Sequence, residues 1–307
     1  MDTATSTGDG PSSRKKCWRA WCLCIAALAI SCGQDNDAPP APARGIVSFG
    51  PNITETIFAL GEGDRIVGVT NFCDYPPEAA AKTRVGGYLD PDLEKITALA
   101  PELIILPGKM EKLATLAQQN RIPILNAHMD SLATIYASIR SIGAALGCSP
   151  KADELCARIE GDLDAVRESV KDQPRVKLLI INARQSHDLN NLFTVGQTSF
   201  ISELADIAGG DAIFNDTDNP YFEASKETVV MRAPDVIIEF HAGENLTAEE
   251  QARYIADWNE LAGLPAVRNQ RVYLFLESYG LRPGPRVGLI AARLAQLLHH
   301  DAAASPQ

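Results

Sequence analysis

The sequence predicts an α/β protein of two lobes, each built on a central, mostly parallel sheet, joined by one long α-helix. Three observations predict it. From Gly45 onward, short apolar runs alternate with stretches of helical period, and most of the runs lack the polar alternation of a half-exposed strand. Two local patterns occur twice, in the same order. Between the two occurrences lies one unbroken apolar stripe at helical spacing.

The chain has 307 residues, 46% of them hydrophobic and 22% charged, which is ordinary globular usage with room for two domains. Its net charge of -11 opposes phosphate backbones, so no nucleic-acid partner is expected. The basic residues are unevenly placed. Arg14, Lys15, Lys16 and Arg19 precede an apolar run from about Ala20 to Ile30, the pattern of a signal peptide and too short for a stable span. Ala29-Ile30-Ser31-Cys32-Gly33 resembles a bacterial lipobox, whose cysteine becomes the lipidated N-terminus. Residues 1–31 are therefore expected to be removed and Cys32 to carry lipid. The Pro-rich, polar segment 32–44 would form an extended tether. The mature protein is expected outside the cytoplasm, in the periplasm or cell envelope, anchored to a membrane through lipid.

The strands follow in order. Ile46-Val-Ser-Phe49, Ile66-Val-Gly-Val-Thr70, Leu103-Ile-Ile-Leu106 and Pro123-Ile-Leu-Asn126 belong to a first lobe, 45–148. Lys177-Leu-Leu-Ile-Ile181, Asp235-Val-Ile-Ile-Glu239 and Arg271-Val-Tyr-Leu-Phe275 belong to a second, 174–300, followed by a tail, 301–307. Glu94-Lys-Ile96 leads to Ala100-Pro101 and the strand at 103; Glu227-Thr-Val229 leads to Ala233-Pro234 and the strand at 235. In both, the glutamate lies seven residues before the proline, and each reads as a short helix halted before Pro and feeding a buried strand. Gly63-Asp64-Arg-Ile66 recurs likewise as Gly210-Asp211-Ala-Ile213. The first copy is longer between its two patterns, 30 positions against 16.

Between the lobes, Ser149 reads as an N-cap and Pro150 as the first helical residue. Ala152, Leu155, Ile159, Leu163, Val166 and Val170 follow on one stripe, and Pro174 ends the segment 149–173. A helix over Pro150–Asp172 would be about 34 Å long. Cys73, Cys148 and Cys156 remain after the leader and Cys32 are set aside; their number is odd and their spacing fits no metal motif, so idle thiols are expected.

The chain resembles the substrate-binding proteins of cobalamin, haem and ferric-siderophore ABC importers, over roughly Gly45 to Leu298. The resemblance is carried by Ser48-Phe-Gly-Pro51-Asn52-Ile-Thr54-Glu55, Asp74-Tyr75-Pro76-Pro77-Glu78, Leu93-Glu94-Lys-Ile96, Gly196-Gln-Thr198-Ser199-Phe200, Ala208-Gly209-Gly210-Asp211-Ala-Ile213-Phe214 and Pro283-Gly-Pro285-Arg286. The Asp-Tyr-Pro-Pro-Glu segment and the arginines opening the last helix are most like the cobalamin-binding members. The resemblance implies two Rossmann-like α/β lobes joined by the long helix, a ligand cleft between them, and a monomer. It implies no cofactor; the cargo would be cobalamin or another corrinoid, with haem or a ferric siderophore as alternatives. Glu94 and Glu227 would meet arginines of the membrane permease, which works with its ATPase.

In open α/β sheets ligands lie beyond the carboxyl ends of the strands. Phe72, Asp74 and Tyr75 follow the strand at 66–70; Tyr88 and Tyr221 precede the Glu94 and Glu227 helices; Ser278, Tyr279 and Arg282 follow the last strand. Four of the seven tyrosines thus fall in these loops, where aromatic faces suit a large macrocycle. Arg282 and Arg286 could hold a phosphate or carboxylate. The only tryptophan beyond the leader is Trp258, in a helical stretch. A second reading uses histidines: His128, His187 and His241 each follow a strand and, with Glu277, could bind zinc or manganese. An enzyme has least support. Ser186-His187-Asp188 is consecutive and cannot converge as a triad, and no phosphate-binding glycine motif is present.

Overall fold

A computed structural model describes residues 45–299. The leader at 1–31, Cys32, the tether and the tail at 301–307 lie outside the described residues. The first lobe runs β1 (Ile46–Ser48), α1 (Pro51–Ala59), β2 (Ile66–Val69), β3 (Thr83–Arg84), α2 (Leu93–Ala98), β4 (Leu103–Leu106), α3 (Glu111–Asn120), β5 (Ile124–Asn126) and α4 (Leu132–Leu146). The long helix is α5 (Ser149–Val170). The second lobe runs β6 (Val176–Ala183), β7 (Leu192–Val195), α6 (Phe200–Ile207), β8 (Gly210–Ala212), β9 (Tyr221–Ala224) and α7 (Lys226–Arg232). It continues with β10 (Val236–Phe240), α8 (Ala248–Asp257), α9 (Pro265–Arg268), β11 (Val272–Phe275) and α10 (Val287–His299).

There are two separate sheets. The first has the order β3-β2-β1-β4-β5 and is parallel throughout. The second has the order β11-β10-β6-β7-β9. Its β10 pairs in parallel with β6 and β11, and β8 with the first half of β6, but β7 and β9 are antiparallel additions. The second sheet is therefore mixed. The additions arise because β7 turns straight back along the far half of β6, a connection too short for a crossover helix.

The repeated sequence patterns are repeated structures. In both copies a strand, a helix and a Gly-Asp turn or strand bring a parallel neighbour beside the starting strand: β1-α1-β2 in the first lobe, β6-α6-β8 in the second. α2 and α7 match in plan around the shared glutamates Glu94 and Glu227. Each has a side-chain N-cap, Asp92 or Ser225, each buries one residue, Ile96 or Val229, and each is followed by an alanine in the left-handed region, Ala100 (φ 43°) or Ala233 (φ 47°). The prolines that follow cannot continue a helix, so the chain is released into β4 and β10.

α5 begins one residue before the position its sequence predicts. Cys148 occupies the N-cap without a side-chain cap, and Ser149 is already helical. The reason lies in α4. Gly147 closes that helix in the left-handed conformation (φ 76°), and Cys148 N donates to Gly143 O at 2.7 Å, so a single residue makes the corner. At 22 residues α5 is roughly 33 Å long. Its buried face (Ala152, Leu155, Cys156, Ile159, Leu163 and Val166) joins a core that includes Ile46 and Ile53 on one side and Ile180, Ile238 and Ile290 on the other. The lobes thus share one apolar core, and two smaller cores lie on the outer faces of the sheets. Cys73, Cys148 and Cys156 are buried free thiols. No helix among the described residues is long and apolar enough to cross a membrane.

Candidate ligand-binding site

The carboxyl ends of β2 and β3 carry the most exposed aromatics of the first lobe. Gly86 makes this possible. It lies at φ 90°, and a Cβ there would come 2.4 Å from the Asp90 carbonyl oxygen. The tight loop from Gly86 to Pro91 presents Tyr88 and Leu89 to solvent. Asn71 N donates to Gly86 O at 3.0 Å, tying this loop to the β2 turn, and Phe72 lies against Gly87. The outcome is a ridge in which Phe72 is 67% exposed, Tyr88 52% and Leu89 84%. Large apolar side chains left open together mark a binding surface more often than a core.

Four other sequence candidates, Asp74, Tyr75, Tyr279 and Arg282, come together at one place, around a residue that the sequence marked only as part of a motif and not as a site. Glu55 sits on the buried face of α1 between Ile53 and Ile57 and is only 4% exposed. Arg286 Nε donates to Glu55 Oε2 at 2.8 Å and its terminal nitrogen to Oε1 at 2.6 Å, a forked pair. Arg282 also donates to Glu55 Oε1, at 3.3 Å, and makes its own forked pair with Asp74, one arm of which is 3.0 Å. The Arg286 guanidinium lies 4.0 Å from the Tyr75 ring centroid and 5.3 Å from that of Tyr279. Glu55 and Asp74 belong to the first lobe, the arginines to the second, so this cluster clasps the lobes together. The hydrogen bond from Arg282 holds the Asp74 carboxyl below its usual range. Burial pulls the Arg282 guanidinium down, but Asp74 and Glu55 outweigh it and leave it raised. Beside the clasp a depression of about 530 Å³ is lined by Phe58, Tyr75, Pro76, Glu78 and Pro285.

The remaining candidates are more dispersed. Tyr221 opens β9, half-buried against the shared core; burial, then the nearby Asp130 charge, push its phenol up. Asp130 marks a second seam between lobes, where Phe200 N donates to its carbonyl at 2.8 Å and Leu132 N to Glu203 Oε2 at 2.6 Å. Ser278 lies beside Gly243, past the end of β10. Glu94 and Glu227 are both exposed and both stand at the second position of their helices, α2 and α7. The Glu227 carboxyl is held below its usual range by its backbone amide and by Ser225.

The histidine set does not assemble. Among the described residues no group of three or more His, Cys, Asp or Glu side chains is arranged to hold a metal ion. His128 follows β5 in the first lobe, beside Gly108. His241 is in the second lobe with both ring nitrogens engaged, Nε2 by Glu239 and Nδ1 by Glu244, each at 3.1 Å. His187 is exposed, 3.6 Å from Asp257. Glu277 faces Arg293 at 2.9 Å. The metal-binding alternative is corrected accordingly: these carboxylates are committed to arginine or imidazole partners, and His128 stands on the first lobe while His187 and His241 stand on the second.

His241 instead completes a buried network that the sequence did not reveal. Arg184 Nε donates to Glu239 Oε1 and its NH1 to Asp257 Oδ2, both at 2.9 Å, and its NH2 to Tyr254 O at 3.0 Å. Trp258 Nε1 also donates to Glu239 Oε1. The predicted helical tryptophan is thus fully buried under the second sheet, remote from the aromatic ridge. An acid inside the apolar strand Val236-Ile-Ile-Glu-Phe240 was the available signal.

Comparison with known proteins agrees with this architecture. The chain is 26% identical over 289 residues to the vitamin B12-binding protein of Pectobacterium carotovorum, covering 92% of this chain and 94% of that protein. It is 28% identical over 275 residues to an uncharacterized ABC transporter substrate-binding lipoprotein of Bacillus subtilis, covering 87% and 83%. The crystal structure of the periplasmic vitamin B12-binding protein BtuF of Vibrio cholerae superposes with a TM-score of 0.68 at 25% identity, over 84% of this chain and 97% of that one. Residues 46–279 match the family model described as periplasmic binding protein, and the chain belongs to that family.

Proposed function

We propose that the protein is the substrate-binding lipoprotein of an ABC importer and that it captures a corrinoid, cobalamin foremost, between its lobes and hands it to the membrane permease. The observation that carries this reading is the open ridge of Phe72 and Tyr88 at the strand ends, in a chain that aligns along most of its length with vitamin B12-binding relatives. A corrin ring offers a broad, partly apolar face with amides at its rim, which aromatic side chains and phenol groups can engage. Tyr221, Ser278 and Tyr279 supply polar groups from the second lobe. Export, lipid attachment at Cys32 and docking through Glu94 and Glu227 complete the cycle, and the protein performs no chemistry on its cargo.

The test is titration of the whole chain with cyanocobalamin, haemin and a ferric siderophore. Saturable binding of cyanocobalamin is expected, and Phe72→Ala and Tyr88→Ala should each weaken it on the order of tenfold, the loss of about 1–1.5 kcal/mol of aromatic contact. Binding of haemin or the siderophore alone would move the proposal to that cargo. Binding of none would remove it.

A further inference from the structure

The clasp between the lobes has two unequal halves. Glu55 is buried on α1 and takes three guanidinium contacts. Asp74, two residues past Phe72, has a side chain 60% exposed, while the Arg282 side chain it pairs with is only 17% exposed. Breaking the first half would leave a carboxylate unpaired in the interior, which is costly. Breaking the second returns Asp74 to water, which costs little, provided that Arg282 finds another anion. A guanidinium fork accepts phosphate or carboxylate oxygens in the geometry it uses for an aspartate. The replaceable anion therefore stands at the solvent edge of the clasp, next in the chain to the aromatic ridge.

We propose that Asp74 is a stand-in for an oxyanion of the cargo: an incoming phosphate or carboxylate takes its place on Arg282, while the buried Glu55–Arg286 pair keeps the lobes together. This rests on the reading of the protein as a carrier whose cargo lies over Phe72. It makes Asp74 a competitor of the cargo rather than a contact, and Glu55 a positioning residue. Charge is conserved in the exchange, because one anion replaces another on Arg282 and Asp74 becomes solvated. A cargo lacking an oxyanion must leave the clasp closed and forgo that contact.

The experiment uses inorganic pyrophosphate and succinate as probes on the whole chain, read by hydrogen exchange in the segment 279–286. One of the two should saturate, and which one does identifies phosphate or carboxylate as the preferred group. Asp74→Ala should lower the half-saturating concentration about two- to fivefold, the reach of an exposed ion pair. Asp74→Asn should shift it the same way, and Arg282→Gln should abolish the response. Exchange in β4 and β10 shows whether each variant keeps its fold. An unchanged or higher half-saturating concentration in both Asp74 variants, or no saturation by either probe, overturns the proposal. Because neither probe is the cargo, this result stands apart from the cyanocobalamin titration. A chain that binds no corrinoid yet answers to pyrophosphate would retain the exchange and lose the cargo assignment.

Discussion

Each oxygen of Glu239 has a defined use: Oε1 receives Arg184 and Trp258, and Oε2 faces His241 Nε2. With Glu244 at the other ring nitrogen, the imidazole lies between two carboxylates, and only its protonated form can donate to both. Burial lowers the His241 pKa, but the two glutamates outweigh it and leave it raised above 6.5. A group whose folded pKa is raised stabilises the fold at low pH and loses that contribution as pH climbs through the folded value. The melting temperature should therefore fall as pH rises from about 6.5, and His241→Gln should flatten that slope; an identical slope in the variant would refute the assignment. The residue scale is also where the sequence is least legible. Glu55 and Glu239 are visible as acids at apolar positions of α1 and β10. The partners that make them tolerable are not, since Arg282 and Arg286 lie 227 and 231 residues from Glu55.

The two helix-to-strand joints, α2 to β4 and α7 to β10, were legible because the physics is local: a cap, a buried residue one turn later, and a proline. The alanines at the joints are less comfortable. Ala100 and Ala233 hold positive φ, where a Cβ costs energy and glycine does not. Ala100→Gly and Ala233→Gly should each stabilise the protein, by about 0.5–1 kcal/mol after the added chain entropy is counted, as read by urea denaturation. Destabilisation would mean that the methyl groups pack usefully. The elements missed, β3, β7, β8 and β9, are two to four residues long, and their pairing depends on partners distant in sequence. The start of α5 was displaced because the closing glycine of α4 sets it, not the serine and proline of α5 itself.

At the scale of the whole molecule, the two-lobed plan was legible from the repeats and the long apolar stripe, and its shared core was not. α5 is packed by α4 on one side and by α6 and α10 on the other, so no apolar break separates the lobes. Large rotations would expose that core, so little change of lobe spacing is expected. The separation of Glu94 and Glu227 is then expected to depend little on cargo. Glu94→Ala and Glu227→Ala should each lower cellular uptake, and the pair together on the order of tenfold, while the dissociation constant for cargo stays unchanged. Full uptake by the double variant would exclude them as docking residues.

The matching of α2 with α7 carries one more implication. A receptor made of two equal halves would meet the same acidic hook twice, and by those hooks alone it could seat the protein either way round. If Glu94 and Glu227 dock the protein as proposed, the tie would be broken by residues beside them. Four residues beyond each glutamate the copies diverge: the first lobe offers the small Ala98, the second the protruding, solvent-exposed Met231. A thioether beside one hook and a bare methyl beside the other would give such docking a heads and a tails.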